Sequence, residues 1–294
     1  MEIDKSKILK AGKIASEVRE YAREFVKKGM PLVEIANKME EKIHHLDGKP
    51  AFPTCLSIDN VAAHATPAYN DERIARGILK IDFGVHIDGW IADTAFSIDL
   101  EDSEENKKII RASGKALEAA IKTIGKDVPL SEIGKAISKE IESQNLSPIT
   151  NLSGHGVDRW ILHSRVSIPN HDNKSSVLIS EGLYAIEPFA TTGIGSVHDG
   201  KPSGIFRLED EKNPRSPIAR EILNFIIEEY NTLPFCSRWL VKKFGTKSLI
   251  ALKQLEENGN LHSYPELIES SNSLVAQTEH TILVEKNSVI VTTE

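Results

Sequence analysis

Residues 78–100 read Ile78-Leu79-Lys80-Ile81-Asp82-Phe83-Gly84-Val85-His86-Ile87, then Asp88-Gly89, then Trp90-Ile91-Ala92-Asp93-Thr94-Ala95-Phe96-Ser97-Ile98-Asp99-Leu100. Two β-type runs flank an Asp-Gly pair, the signature of a hairpin closed by a two-residue turn. With Asp88 and Gly89 at the turn, Asp82 faces Ala95 and Gly84 faces Asp93. Both aspartates then project from one face on a diagonal, roughly 7–8 Å apart at Cα, within reach of a shared ion unless a bulge shifts the register. A solvated hairpin with two exposed acids is the plain alternative. Against it, Ile81, Phe83, Ile91 and Ala92 make both strands look buried, and no Lys or Arg lies between Ile81 and Leu100. Buried carboxylates need a partner cation or a proton.

Outward from the hairpin the patterns alternate. Ile8, Ala11, Ile14, Ala15, Val18, Ala22 and Phe25 recur at helical spacing, and Leu32, Ile35, Met39 and Ile43 continue on a second helix after Gly29 and Pro31. Residues 51–68 read as a Pro-rich connection. Helices are expected over about 104–124, with Gly125 at its C′ position, and over 130–144. Strands and loops follow to residue 190, with 177–186 the clearest strand. Ser216-Pro217 opens a helical block over 217–230, 236–243 and 247–257. The chain ends on strands at 276–284 and 288–293. The sum is an α+β fold carrying a helical insertion at 205–263, between main-domain segments 1–204 and 264–294.

Further isolated polar residues lie in apolar surroundings. Glu187 ends Tyr184-Ala185-Ile186-Glu187, and Glu279 sits in Gln277-Thr278-Glu279-His280-Thr281-Ile282. His155 lies between two glycines, with His163 eight residues later, and His64 lies between two alanines. A lone strand Glu is usually solvated, and a lone His is usually structural. Together, however, Asp82, Asp93, His155, Glu187 and Glu279 supply four carboxylates and one imidazole. Two divalent ions would neutralise that charge, and the oxygen-rich set suits Mn, Fe, Co or Zn. Two-metal sites are a hydrolytic device. Spacing alone does not bring the five together.

Composition narrows the classes. The 294 residues are 40% hydrophobic with a net charge of -7, which argues against a general nucleic-acid binder. Two distant cysteines, Cys55 and Cys236, make neither a disulfide framework nor a thiolate zinc site. No signal peptide or membrane span is read. A cytoplasmic setting without membrane association is expected.

Seven segments together resemble type II methionine aminopeptidases of peptidase family M24. They are Ala51-Phe52-Pro53-Thr54, Ala63-His64-Ala65-Thr66-Pro67, Lys80-Ile81-Asp82-Phe83-Gly84, Ala92-Asp93-Thr94-Ala95, Asn151-Leu152-Ser153-Gly154-His155, Ala185-Ile186-Glu187-Pro188-Phe189 and Gln277-Thr278-Glu279-His280-Thr281. The resemblance runs nearly end to end, in the short archaeal form. It implies a pita-bread fold of two related α/β halves. It also implies two divalent metal ions (Co, Mn, Fe, Zn or Ni) on Asp82, Asp93, His155, Glu187 and Glu279, with Asp93 and Glu279 bridging. His163 would steady the scissile carbonyl, and His64 would sit by the new amine or the substrate amide. Phe52, Leu162, His198 and Tyr264 match positions lining the methionine pocket, shared with His64 and His163. Ala65, where many members have Tyr, and Gly156-Val157-Asp158-Arg159-Trp160 depart from the family pattern.

The implied activity is removal of the initiator methionine from nascent chains whose second residue is small, near the ribosome, by a monomer. With Glu2 as its own second residue, the chain is expected to keep Met1. The insertion resembles a winged-helix module in its order of helices. Its nine Lys/Arg and eight Asp/Glu over residues 205–262 argue against nucleic-acid binding. Two alternatives share the fold: an X-Pro dipeptidase or aminopeptidase P, and an inactive relative that binds RNA or ribosomes.

Overall fold

The computed structural model describes residues 3–294; Met1 and Glu2, on which the expected retention of Met1 rests, lie outside the described residues. In chain order the first half holds helices α1 (Lys5–Phe25) and α2 (Leu32–His45). Strands β1 (Lys49–Ile58), β2 (Val61–Ala63), β3 (Ile78–Ile87) and β4 (Trp90–Asp99) follow. Asp4 caps α1, its carboxylate accepting from the Lys7 amide at 3.2 Å. The apolar stripe of α1, Ala11 through Ala22, and that of α2, Leu32 through Ile43, cover Leu79, Ile81, Phe83, Val85 and Phe96 of the hairpin. Each such fully buried large side chain contributes about 1.5–3 kcal/mol relative to exposure.

The hairpin adopts the expected register: Asp82 opposes Ala95 and Gly84 opposes Asp93. Asp88 and Gly89 have φ of 49° and 85°, both positive, as a type I′ turn requires. β1 pairs with β3 on the other side, with register shifts between Pro50, Phe52 and Cys55. The stretch expected to be a connection is therefore largely strand.

The second half repeats the scheme. Helices α3 (Glu104–Thr123) and α4 (Leu130–Glu142) are followed by β5 (Ser147–Pro148), β6 (Ser153–Val157), β7 (Ser167–Pro169), β8 (Gly182–Ile186) and β9 (Phe189–Thr191). Then come β10 (Val197–Leu208), α5 (Pro217–Tyr230), β11 (Phe235–Cys236), α6 (Ser237–Phe244), α7 (Lys247–Glu257) and β12 (Leu261–Glu269). The chain ends on β13 (Val275–Gln277), β14 (His280–Val284) and β15 (Val289–Val291). Helices α3 and α4 bury Ile109, Leu117, Ile133 and Ile137 against the sheet β15-β14-β8-β6-β7. Two helices on an antiparallel sheet, occurring twice, make the α+β pita-bread arrangement.

Three local expectations are corrected. The strand expected at 177–186 begins only at Gly182, because Val177 and Leu178 are exposed and only Leu178 makes an isolated bridge, to Pro129. The strand expected at 276–284 breaks at Thr278-Glu279, where Glu279 leaves its own sheet to bridge Ala95 of β4. Helix α3 ends because Ile124 is extended, with φ -65° and ψ 139°, so Gly125 does not serve as a left-handed cap.

That break builds the seam between the halves. The Glu279 amide donates to the Ala95 carbonyl at 2.8 Å, and Thr94 Oγ1 donates to the Glu279 carbonyl at 2.9 Å. The Asp93 amide donates to Thr281 Oγ1 at 2.7 Å, and that hydroxyl donates to the Asp93 carbonyl at 2.8 Å. The segments of Asp93 and Glu279 are thus fixed to each other by backbone hydrogen bonds and by the hydroxyls of Thr94 and Thr281. Among the described residues no helix is long and apolar enough to cross a membrane.

Helices α5–α7 enclose their own apolar cluster of Ile222, Ile226, Phe235, Leu240, Leu252 and Leu255. Residues 205–208 and 261–263 at the expected ends of the insertion lie in paired β10 and β12, which carry it in the sheet β11-β10-β12-β2. A buried ion pair also ties it down. Arg238 donates to both oxygens of Glu40 at 2.8 Å, and to the Pro67 carbonyl at 3.1 Å. Trp239 Nε1 and the Thr54 amide also donate to Glu40. Removing one partner leaves a buried charge uncompensated, which typically costs about 3–5 kcal/mol. Glu40→Ala is therefore expected to lose about that much in a urea-unfolding measurement. A loss under about 1 kcal/mol would show the pair to be energetically idle.

Candidate metal centre and active site

Five chain segments deliver the expected acids and histidine to one place. Asp82 comes from β3, Asp93 from β4 and His155 from β6; Glu187 directly follows β8, and Glu279 lies between β13 and β14. All five line one cavity of about 70 Å³, together with Phe52, His64, Leu162, His163 and Tyr264. Asp93, His155 and Glu279 each offer a ligand atom within 4.8 Å of the others. His155 Nε2 lies 3.6 Å from Asp93 Oδ2 and 3.8 Å from Glu187 Oε1. Its Nδ1 faces the Gly156 carbonyl at 3.3 Å, which assigns the proton there and leaves the Nε2 lone pair toward the carboxylates. Gln277 Nε2 donates to Asp82 Oδ2 and to Glu187 Oε2, each at 3.2 Å.

This charge is not balanced by the protein. Burial pushes Asp82 up to about 7, opposed by the Gln277 hydrogen bond. Burial and then the charge of Asp82 hold Asp93 well above the carboxylate range. Glu187 and Glu279 are raised likewise, by burial and then by neighbouring carboxylates. Asp82 Oδ1 and Asp93 Oδ1 are buried with no hydrogen-bond partner. Buried, mutually repelling carboxylates with orphaned oxygens and a correctly poised imidazole fit divalent cations.

The two other histidines flank this cluster. His163 stands edge-on to His155, ring centroids 4.3 Å apart at 86°. Desolvation by the surrounding protein, and then His155, His64 and Arg207, hold its pKa well below the usual value. His64 follows β2 in a left-handed conformation, φ 62°, with Nδ1 buried and unpartnered. Its ring meets Tyr264 at 5.5 Å, and burial lowers its pKa.

Phe52 occupies the space that Gly84 leaves opposite Asp93: a Cβ on Gly84 would come within 2.5 Å of the Phe52 ring. His198 does not line the cavity. It is exposed on β10, opposite Ile268. Cys55, Ile205 and Pro234 line the cavity, and Gln277 bridges two of its acids, although sequence reasoning singled out none of them. Gln277, two residues before Glu279, could have been flagged by that spacing. Cys55 could have been flagged as the partner of Asp82 had β1 been read as a strand.

A larger cavity of about 360 Å³ lies between α2 and the insertion. Its acids are already paired, Glu40 with Arg238 and Glu229 with Lys49, so it offers no comparable unbalanced set.

Comparison with known proteins agrees with this geometry. Residues 6–286 match metallopeptidase family M24. The chain is 46% identical to a methionine aminopeptidase of Pyrococcus horikoshii, covering 99% of this chain and 100% of that one. It is 43% identical to one of Methanocaldococcus jannaschii, covering 98% of each. A solved methionine aminopeptidase from Thermotoga maritima superposes with a TM-score of 0.72 at 23% identity, over 99% of this chain and 98% of that one. A thermophilic Arx1 shares the fold with a TM-score of 0.86 at 16% identity, over 99% and 91%. A prolidase from Pyrococcus furiosus gives a TM-score of 0.62 at 17% identity, and only 63% of its chain is covered. By its sequence match and its full-length relatives, the chain belongs to metallopeptidase family M24 and, within it, to the methionine aminopeptidases.

Proposed function

We propose that this chain removes the N-terminal methionine of new polypeptides whose second residue is small, with two divalent cations held by Asp82, Asp93, His155, Glu187 and Glu279. The supporting observation is the convergence of these five residues on one cavity together with His64 and His163. What such ions supply when bound is a water deprotonated near neutral pH and polarisation of the scissile carbonyl.

The chain's own groups do the rest. His163, kept neutral by its surroundings, offers an N–H to the carbonyl oxygen as negative charge develops there. His64 presents its ring where the substrate amide and the released amine pass. Phe52, Leu162, Ile205 and Tyr264 form the largely apolar wall that receives an unbranched thioether side chain and excludes water. The segments around Asp93 and Glu279 are bonded through backbone groups and the Thr281 hydroxyl, so the site is organised before substrate arrives.

The test is free methionine released from Met-Ala-Ser, against hydrolysis of X-Pro peptides under the same conditions. Release from the first and not the second is expected. Preferential X-Pro cleavage would overturn the reading.

A pH dependence follows from the raised carboxylates. Protons and cations compete for the same oxygens, so cation affinity weakens as pH falls through about 7, the value of Asp82. The sign for the metal-free protein is opposite. A carboxyl raised from 3.8 to about 7 adds stability that is complete below 3.8 and is lost as pH rises to about 7. The rise in Tm produced by added Mn²⁺ is therefore expected to be larger at pH 8 than at pH 6. Thermal scans with and without Mn²⁺ check this; equal shifts would contradict it.

A further inference from the structure

The metal-site cavity does not end at Tyr264. A second cavity of about 200 Å³ shares Leu162, His163, Pro234 and Tyr264 with it and continues past Trp160, Ile161, Thr232 and Arg207. The two therefore form one path leading outward from the reacting centre. Strand β10 measures the distance along it. Ile205, opposite Tyr264, lines the first cavity, and Arg207, opposite His262, lines the second. Alternate strand residues share a face, and two residues span about 6.6 Å. An extended substrate advances about 3.3–3.6 Å per residue, so Arg207 lies about two residues beyond the methionine.

The groove is built rather than incidental. Trp160 has a positive φ of 63°. Its amide donates to the Gly89 carbonyl of the hairpin turn at 2.8 Å, and its carbonyl accepts from Thr232 of the insertion. Three separate parts of the chain hold one wall in place. Ile161, 46% exposed, extends that wall as an apolar rim.

Arg207 supplies the charge. Among the described residues its one ion pair is with exposed Glu209 at 2.7 Å, and its buried Nε–H finds no partner there. Arg207 lines the groove beside His163 and Tyr264. It also opposes the raising of Tyr264 by burial. Among the described residues no carboxylate lines this groove.

We propose that the groove between Trp160 and Arg207 receives the third residue of the substrate and that Arg207 makes an acidic side chain there the favoured one. This rests on the methionine-removal reading above. An acid at the third position exchanges the exposed Glu209 pairing for one beside the protein wall, where screening is weaker. Because the contact is the same in ground and transition states, it lowers KM and leaves kcat nearly unchanged.

The test compares Met-Ala-Glu-Ser, Met-Ala-Gln-Ser and Met-Ala-Lys-Ser as C-terminal amides, on the metal-loaded enzyme and on Arg207→Gln and Arg207→Lys. The wild type is expected to favour Glu over Lys by about fivefold or more in kcat/KM, through KM, with Gln between. Arg207→Gln brings the three together, and Arg207→Lys keeps the order. Equal cleavage of all three by the wild type, or an unchanged preference in Arg207→Gln, overturns this proposal alone. No methionine from any of the three overturns the reading on which it rests as well.

Discussion

A His163→Ala enzyme keeps its metal and loses about 10²–10³ in kcat, the usual cost of removing one donor to a developing oxyanion. His163 lines the cavity beside ligand candidate His155 but lies outside the Asp93, His155 and Glu279 cluster. Its lowered pKa keeps it neutral at pH 7, so it contributes one N–H and no charge. An interaction made only in the transition state lowers kcat and kcat/KM together. Steady-state kinetics and metal analysis on one preparation separate this from loss of metal. A fully metallated variant with unchanged kcat would remove His163 from the reaction.

Substrates beginning Met-Ala are cleaved at least about 100-fold faster than those beginning Met-Glu, because a displacement of about 1 Å at the scissile bond costs that much. The cavity is only about 70 Å³, and beyond its methionine wall His64, His163 and Pro234 leave little space for the second residue. A glutamate there displaces the scissile carbonyl or is desolvated without a partner, among four carboxylates. Ala replacing Glu leaves the amide and the methionine unchanged, so the ratio reports this position alone. Methionine release from Met-Ala-Ser and Met-Glu-Ser measures it. Comparable turnover of the two would show that the cavity wall does not select the second residue.

The most legible parts of the sequence were those governed by local rules. Asp88-Gly89 requires a two-residue turn, which sets the register of Asp82 and Asp93 independently of any tertiary contact. Helices α5 and α7 were readable from Ser216-Pro217 and from apolar periodicity. What escaped was strand interrupted by residues that ordinarily argue against strand. Pro50 and Pro53 sit at irregularities in β1. Gly200, Pro202 and Gly204 fall where β10 slips against β12, and Pro265 lies within β12 itself. These bulged strands carry Phe52, Cys55, Ile205 and Tyr264, so the wall of the cavity was harder to read than its acids. In the other direction, apolar character at Val177 and Leu178 suggested a longer β8. Tertiary context left both side chains on the surface. The meeting of Glu279 with Ala95 is a contact across the whole chain, and no local pattern encodes it.

The most direct measurement is methionine release from Met-Ala-Ser by chelator-treated protein, titrated with Mn²⁺ in parallel for the wild type and for Asp93→Asn. The wild type should be inactive after chelation and recover as two equivalents are added, while Asp93→Asn, missing one negative charge at a buried carboxylate proposed to be shared by both ions, should not recover. Full activity in the chelated wild type, or wild-type recovery by Asp93→Asn, would contradict a metal-dependent methionine aminopeptidase centred on these residues.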